Sequence, residues 1–451
     1  MRYRLDSSWR RPNNRTVIAG SPLRLFRLTE SGARVITGAE TADATATPIQ
    51  QELLDRFVDA GALHPMPTNG PFNVADVTIV VPAYNRLPTW GDAQTIIVDD
   101  GSSPPLTGAQ LRHTTNRGPG AARNTGLAQV TTPLVAFVDS DVSLANGWLE
   151  PLLAHFADGR VALVAPRVSG APGTTWLAAY EQRNSPLDLG DEPARIAAGT
   201  RVSYVPAAAI LCRTDAVRAA GGFDETLRTG EDVDLVWRLR AAGHQCRYEP
   251  RSVVLHQPRS SLSALLRQRF SFGCSAAPLA TRHLGALAPV RLNAWSAVVW
   301  ALVLMRRPLL AIGVLAGTIV ALSRKLRAVP TAVPTAESAR LAGLGTLAAG
   351  RQLADATTRV WWPVAIALVA IVRRSRLPLV AVLIAPAAAD AIRQRSAQPL
   401  VDAPVQLLDR MAYGAGVWVG AVSEGNFAAL RPQISAHSAQ TDSGIKPQRI
   451  S

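Results

Sequence analysis

The sequence is poor in cysteine, in charge and in apolar runs of membrane-spanning length, and each shortage removes a class of protein. Cys212, Cys246 and Cys274 are its only thiols, lie far apart and form no C-x-x-C pair. They imply neither a disulfide framework nor a zinc site, and read as small core residues of a reducing compartment. Charged residues make up 18% of the chain against 48% hydrophobic, a balance that is globular to slightly membrane-like and not disordered. The longest apolar runs fall short of the roughly 20 residues a spanning helix wants. Met1-Arg-Tyr-Arg-Leu-Asp6 carries no apolar h-region, so secretion is not expected.

What is present is a surplus of positive charge with an uneven distribution. The net charge is +14 over 451 residues, and a chain of that length is expected to hold two or three domains. Residues 257–410 contain 19 Lys and Arg against 5 Asp and Glu, which is the whole of the surplus. The same segment holds the longest apolar runs, so an anionic membrane surface is the expected partner and nucleic acid is not.

The stretch Leu134 to Asp141, LVAFVDSD, organises the rest. Five apolar residues form a short strand of the kind buried in a parallel sheet, and it ends in two carboxylates one residue apart. Asp139 and Asp141 then sit at the carboxyl edge of the sheet, where ligands of open α/β sheets bind and where two hard oxygens can share a divalent cation with a diphosphate. A solvated strand end is the competing reading of so short a pattern.

Other expected strands are Thr16 to Ala19, Arg34 to Thr37, Val77 to Val81, Thr95 to Val98, Val161 to Pro166, Val202 to Leu211 and Ser252 to Leu255. Gln51 to Ala60 and Gly147 to Phe156 read as amphipathic helices. The run Asn116-Arg-Gly-Pro-Gly-Ala-Ala-Arg123 starts a helix at Pro119, and helix amides with a guanidinium at Arg123 favour oxyanions. Thr229 and Asp232 have capping-box spacing ahead of a helix that Gly243 ends. Asp232 is either that cap or a general base facing the pocket. His256 closes the last strand and is either structural or a metal ligand on the edge of Asp139 and Asp141.

Val77 to Arg86, Ile96 to Ser103, Asn116 to Leu127, Phe137 to Asp141, Gly221 to Glu225 and Gly230 to Leu235, in that order and spacing, resemble the family 2 inverting glycosyltransferases. The resemblance covers residues 76–275. It implies an α/β chain with a GT-A, Rossmann-like domain that binds a nucleotide sugar with Mn²⁺ or Mg²⁺. It further implies that Pro82, Tyr84, Asn85, Arg86 and Asp100 hold the nucleoside and that Arg117 and Arg123 lie near the diphosphate. Asp139 and Asp141 would hold metal and ribose, His256 would be a further metal ligand and Asp232 the base.

At finer grain the whole chain resembles the glycosyltransferases of mycofactocin biosynthesis, on residues 3–40, Leu266 to Gly273 and Ala276 to Leu279. That implies glucose from UDP-glucose built as a β-1,4-linked chain onto a peptide-derived redox cofactor. The Gln-x-x-Arg-Trp motif of processive members is absent.

Two departures stand beside the nucleoside pocket. Asn85 to Thr95 and Asp100 to Asn116 are short for crossovers that carry a helix, which predicts a reduced sheet edge or impaired donor binding. In the second case the chain would act as a peptide- or partner-binding protein. A membrane polysaccharide or cell-wall synthase is the other alternative.

The expected domains are a small α+β module at 1–70, possible as a peptide binder, the glycosyltransferase domain at 76–275, a basic hydrophobic helical region at 285–430 and a disordered tail at 431–451. In the helical region Asn293 to Met305, Leu309 to Ser323, Val360 to Val372 and Leu377 to Ala389 are apolar, with Arg at their ends and Trp295, Trp300, Trp361 and Trp362 among them. The expectation is association with the cell membrane, the active domain on its cytoplasmic side.

Overall fold

The computed structural model describes residues 2–41, 47–91, 94–327, 334–372 and 399–435, with isolated positions between 376 and 386. The chain forms two compact units that do not follow its order. The first is made of residues 1–8, 20–22 and 38–265, the second of 9–19, 23–37 and 266–451.

The N-terminal segment is divided between them. Its elements are β1 (Arg2–Leu5), β2 (Arg10–Asn13), β3 (Thr16–Ala19), β4 (Arg24–Arg27), α1 (Glu30–Glu40), α2 (Pro48–Asp59) and β5 (Leu63–Met66). β1 pairs antiparallel with β5 in the first unit, whereas β2, β3 and β4 form a separate antiparallel sheet. The run Arg34 to Thr37, expected as a strand, lies inside α1. Ala33, Ile36 and Ala39 are buried there at helical spacing, and that common face outweighs the β-propensity of Val35 and Ile36.

The first unit is built on a nine-stranded sheet. Its strands are β6 (Val77–Ala83), β7 (Thr95–Asp100), β8 (Leu111–His113), β9 (Leu134–Val138), β10 (Val142–Leu144), β11 (Val161–Gly170), β12 (Ala194–Arg195), β13 (Ala209–Arg213) and β14 (Gln245–His256). The order is β10-β14-β11-β13-β9-β6-β7-β8, with β12 beside β14. β9, β6, β7 and β8 run parallel, and β13 enters antiparallel between β9 and β11. All five side chains of β9 are buried, as an apolar strand covered on both faces requires. Val77, Ile79, Leu134, Ala136, Leu152, Phe156, Val164 and Leu211 share one core cluster.

The short crossovers are real, and they reduce the edge without deleting strands. β6 joins β7, and β7 joins β8, with no helix among the described residues of either connection, yet both pairs keep parallel registers. Ile96 and Ile97 are only half-buried as a result.

Two further expectations change. The strand expected at Val202 to Leu211 begins only at Ala209, because Pro206 has no N–H for a ladder bond. The Gly147 to Phe156 helix contracts to α4 (Glu150–Leu153) followed by a 3₁₀ turn at Ala154–Ala157.

The second unit is mainly helical. After α3 (Pro119–Gln129), α5 (Trp176–Asn184), α6 (Thr214–Ala219) and α7 (Glu231–Ala241) of the first unit come α8 (Leu262–Cys274) and α9 (Ala276–Arg282), then β15 (Arg291–Asn293). These lead to α10 (Ala294–Leu304), α11 (Pro308–Arg327), α12 (Thr335–Arg359), α13 (Trp362–Ile371) and α14 (Pro399–Ser423). β16 (Gln433–Ser435) pairs parallel with β15, so the tail assigned to disorder starts with a strand; residues 436–451 lie outside the described residues. In the apolar run Leu377 to Ala389, residues 378, 381, 385 and 387–389 lie outside them too.

Glycine lets these helices approach closely: a side chain on Gly416 would meet the Phe270 carbonyl, and one on Gly350 the Trp300 ring. Arg10 of β2 pairs with buried Glu337 of α12 at 3.2 Å. α11, at 20 residues, is long and apolar enough to cross a membrane, and α12 and α13 meet at 85°. Leu309, Leu310, Ile312 and Val320 on α11 are exposed.

Candidate active site at the carboxyl edge of the sheet

Strand β9 delivers Asp139 to the edge, and the residue is fixed there from both sides. Its N–H donates to Ala208 O at 2.9 Å, and its carboxylate accepts from Arg123 at 2.6 Å. Arg123 projects from α3, is 3% exposed, and donates a second bond to Glu231 at 2.7 Å. Its guanidinium also lies 5.2 Å from the centre of the Phe223 ring, which in turn packs edge-on to Phe137 of β9.

Two residues on, Asp141 lies 3.3 Å from His256 Nε2 and 3.6 Å from Arg259. His256 is brought there because β14 pairs antiparallel with β10, whose first residue Val142 is opposite His256. The structure thus joins Asp141 to His256 but leaves Asp139 turned to Arg123, and no cluster of three metal-ligating side chains forms among the described residues. Of the three residues expected at a metal, Asp141 and His256 are in direct contact and Asp139 stands beside them, bonded to Arg123.

Asp232 is the second residue of α7, two residues after Gly230, whose left-handed backbone (φ 84°) makes the entry into the helix. Thr229 is therefore not the cap that its spacing predicted. The Asp232 carboxylate accepts from Ala207 N at 3.1 Å and from Val233 N at 2.8 Å.

The electrostatics follow from four carboxylates sharing few cations. Burial, reinforced by the like charge of Asp141, raises the Asp139 carboxyl above its ordinary range against the pull of Arg123. Burial likewise raises Asp232, opposed by Arg123 and by backbone amides. Burial and the neighbouring Asp232 push Glu231 up to about 7. Asp141 is lowered: burial raises it, but hydrogen bonding to His256 and the charges of His256, Arg259 and Arg86 outweigh that. Raised carboxyls at a partly open edge are what an added cation would relieve, and hard oxygens with an imidazole suit Mn²⁺ or Mg²⁺. The residues fit a divalent ion.

The nucleoside side is arranged differently. Asp100 at the end of β7 is 3% exposed and accepts from His113 Nδ1 at 2.7 Å, Arg117 N at 2.9 Å and Gly118 N at 2.8 Å. These bonds shape the entry to α3, where Gly118 is left-handed (φ 100°). Asp99 is fully buried and accepts from Ser102 N and Leu106 N. Burial raises it, but those bonds and Arg112 hold it below the usual carboxylate range.

The rest of the expected loop remains available. Pro82 is half-buried near the end of β6, Tyr84 is 53% exposed, and Asn85 is left-handed (φ 55°). Asn85 N donates to Ser102 Oγ at 2.8 Å and its side-chain Oδ1 accepts from Ser103 N at 3.3 Å. Arg86 lies close enough to Asp141 to favour its charged form. Arg117 pairs with Glu225 at 2.7 Å at the surface, while the Arg123 guanidinium is enclosed between Asp139 and Glu231.

Sequence reasoning missed His113, Arg259 and the Ala207-Ala208 backbone. His113 ends a three-residue strand too short to announce itself, and backbone donors leave no residue-type signal.

An α/β sheet edge with paired carboxylates and a further carboxylate at a helix start can hold a cation and accept a proton. The chain belongs to glycosyl transferase family 2, whose family model matches residues 78–217, and it is a glycosyltransferase. It is similar to the Pre-mycofactocin glycosyltransferase of Mycobacterium tuberculosis, with 40% identity covering 93% of this chain and 94% of that one. It is 28% identical to the succinoglycan biosynthesis protein ExoO of Rhizobium meliloti over 43% of this chain and 64% of that protein. Among solved structures, mannosyltransferase PcManGT from Pyrobaculum calidifontis in complex with GDP-Man and Mn²⁺ is 17% identical, covering 72% of this chain and 98% of that one, at a TM-score of 0.35.

Proposed function

We propose that this enzyme transfers glucose from UDP-glucose, with inversion, to the peptide-derived precursor of mycofactocin and extends it as a short β-1,4-glucan. The observation that carries the reading is the end-to-end 40% identity to a Pre-mycofactocin glycosyltransferase. The presence of both halves of the transfer chemistry at one sheet edge supports it.

Asp232 takes the proton of the acceptor hydroxyl. Its raised carboxyl makes it a stronger base than an exposed aspartate, and the two amides that hold it fix its direction. The acceptor oxygen forms its bond to the anomeric carbon as the bond from that carbon to the diphosphate breaks, and UDP departs. Asp141 and His256, with Asp139 adjacent, would hold Mn²⁺ or Mg²⁺. A bound divalent ion supplies positive charge for the departing diphosphate. Tyr84, Asn85 and Arg86 border the donor, with Pro82 beneath them and Arg117 at the rim.

The basic surplus and the exposed apolar face of α11 support attachment to an anionic membrane, with the catalytic unit on the cytoplasmic side. After ultracentrifugation of a detergent-free lysate, recovery of the full chain in the supernatant would reject that part.

The test of the reaction is UDP release from UDP-glucose in the presence of the peptide-derived acceptor, with hexose increments read on the acceptor by mass spectrometry. Hexose increments that appear with the native chain and vanish with Asp232→Asn support the proposal. Equal outcomes for the two chains overturn it.

A further inference from the structure

Asp139 and Asp232 come from elements far apart in sequence, yet two independent connections tie them together. One is a side-chain link: Asp139 accepts from Arg123 at 2.6 Å, and Arg123 donates to Glu231 at 2.7 Å, next to Asp232. The other is a backbone link, in which Asp139 N–H donates to Ala208 O at 2.9 Å while Ala207 N–H donates to the Asp232 carboxylate at 3.1 Å. Together they close a ring around the edge of β9.

We propose that Arg123 is a positioning residue that sets the spacing between the donor-side carboxylate Asp139 and the acceptor-side base Asp232, and that it is not a diphosphate ligand. The inference rests on the assignment of Asp232 as base. Its grounds are geometric. The two carboxylates occupy two arms of the guanidinium, the Phe223 ring lies 5.2 Å from it, and its side chain is 3% exposed. A planar fork between two carboxylates holds distance and angle, which an ammonium cannot do. In-line displacement needs donor and base in register, and a misplacement of about 1 Å costs about 10²-fold in rate.

The experiment compares native enzyme, Arg123→Gln, Arg123→Lys and Glu231→Gln, measuring kcat and KM for UDP-glucose together with UDP affinity by calorimetry in Mn²⁺. The expected result is a kcat lower by about 10²-fold in Arg123→Gln, with UDP affinity within about threefold of native. Arg123→Lys is expected to recover only part of the loss. Glu231→Gln keeps Arg123 and the side-chain shape, so it reports on the link if Arg123→Gln fails to fold, and a smaller kcat loss at unchanged UDP affinity is expected. In the Asp232→Asn background the Arg123→Gln penalty should shrink, because the base it positions is gone.

A UDP affinity weakened more than about tenfold with kcat retained would make Arg123 a diphosphate ligand and overturn the proposal. So would an unchanged kcat in both Arg123→Gln and Glu231→Gln. Failure of the base assignment is separate and visible on its own: Asp232→Asn would then turn over like native enzyme.

Discussion

The two sides of the same sheet edge use carboxylates in opposite ways. At the end of β9, Asp139, Asp141 and Asp232 remain partly accessible, and three of the four carboxyls there, counting Glu231, are raised by burial and crowding. At the end of β7, Asp99 and Asp100 are enclosed and every bond they make is internal. The difference teaches that a carboxylate at a strand end is not a binding group by position alone. What decides is whether the local backbone leaves its oxygens unclaimed. The bare crossover after β7 supplies the turn amides of Ser102 and Leu106 to Asp99, and the turn from β8 into α3 supplies those of Arg117 and Gly118 to Asp100.

The comparison is broken most directly at its extremes. Replacing Asp232 by Asn should lower kcat by about 10²–10⁴-fold with the fold intact, since general base catalysis is worth that much; UDP release and circular dichroism check both statements. Asp100→Ala should do the reverse, costing about 3 kcal/mol of stability in urea unfolding by stranding the amides of Arg117 and Gly118. Should Asp100→Ala instead leave stability unchanged and abolish UDP binding, the two sides are alike after all.

Smaller effects sharpen the contrast. His256→Ala should weaken Mn²⁺ binding by about tenfold or more while leaving the melting temperature close to native. The Asp232 carboxyl is raised, so the proton stays on to higher pH than on an ordinary aspartate. The acid limb of kcat/KM should therefore fall at a pH above the ordinary carboxylate range near about 4, and vanish in Asp232→Asn.

The smallest effect lies away from the edge. Burial raises Asp6, but hydrogen bonds from His64 and Ser8 outweigh it and hold the group at about 2. The folded value is below the unfolded one, so the stabilisation is full above about pH 4 and is lost as pH falls towards about 2. Acid titration of native and Asp6→Asn chains by circular dichroism reads it.

Much of this was legible beforehand, for stated reasons. Leu134 to Val138 is apolar throughout, which pointed to a doubly covered strand with Asp139 and Asp141 emerging at its edge. The family resemblance then set the fold class. Less legible were elements whose local signals compete. Arg34 to Thr37 has strand propensity but a helical buried face, Val202 to Leu211 has the composition of a strand but Pro206 within it, and Thr229 has cap spacing but Gly230 takes the turn.

The sequence by itself placed Asp139 and His256 at strand ends and Pro119 at a helix start, because apolar runs and turn residues are local properties. Only the tertiary structure decided what their side chains face. Arg123 meets Asp139 and Glu231, His256 meets Asp141, and Asp100 meets amides 17 and 18 residues away. Those pairings depend on strand order and on which backbone donors lie within about 3 Å, distances that residue identity does not encode.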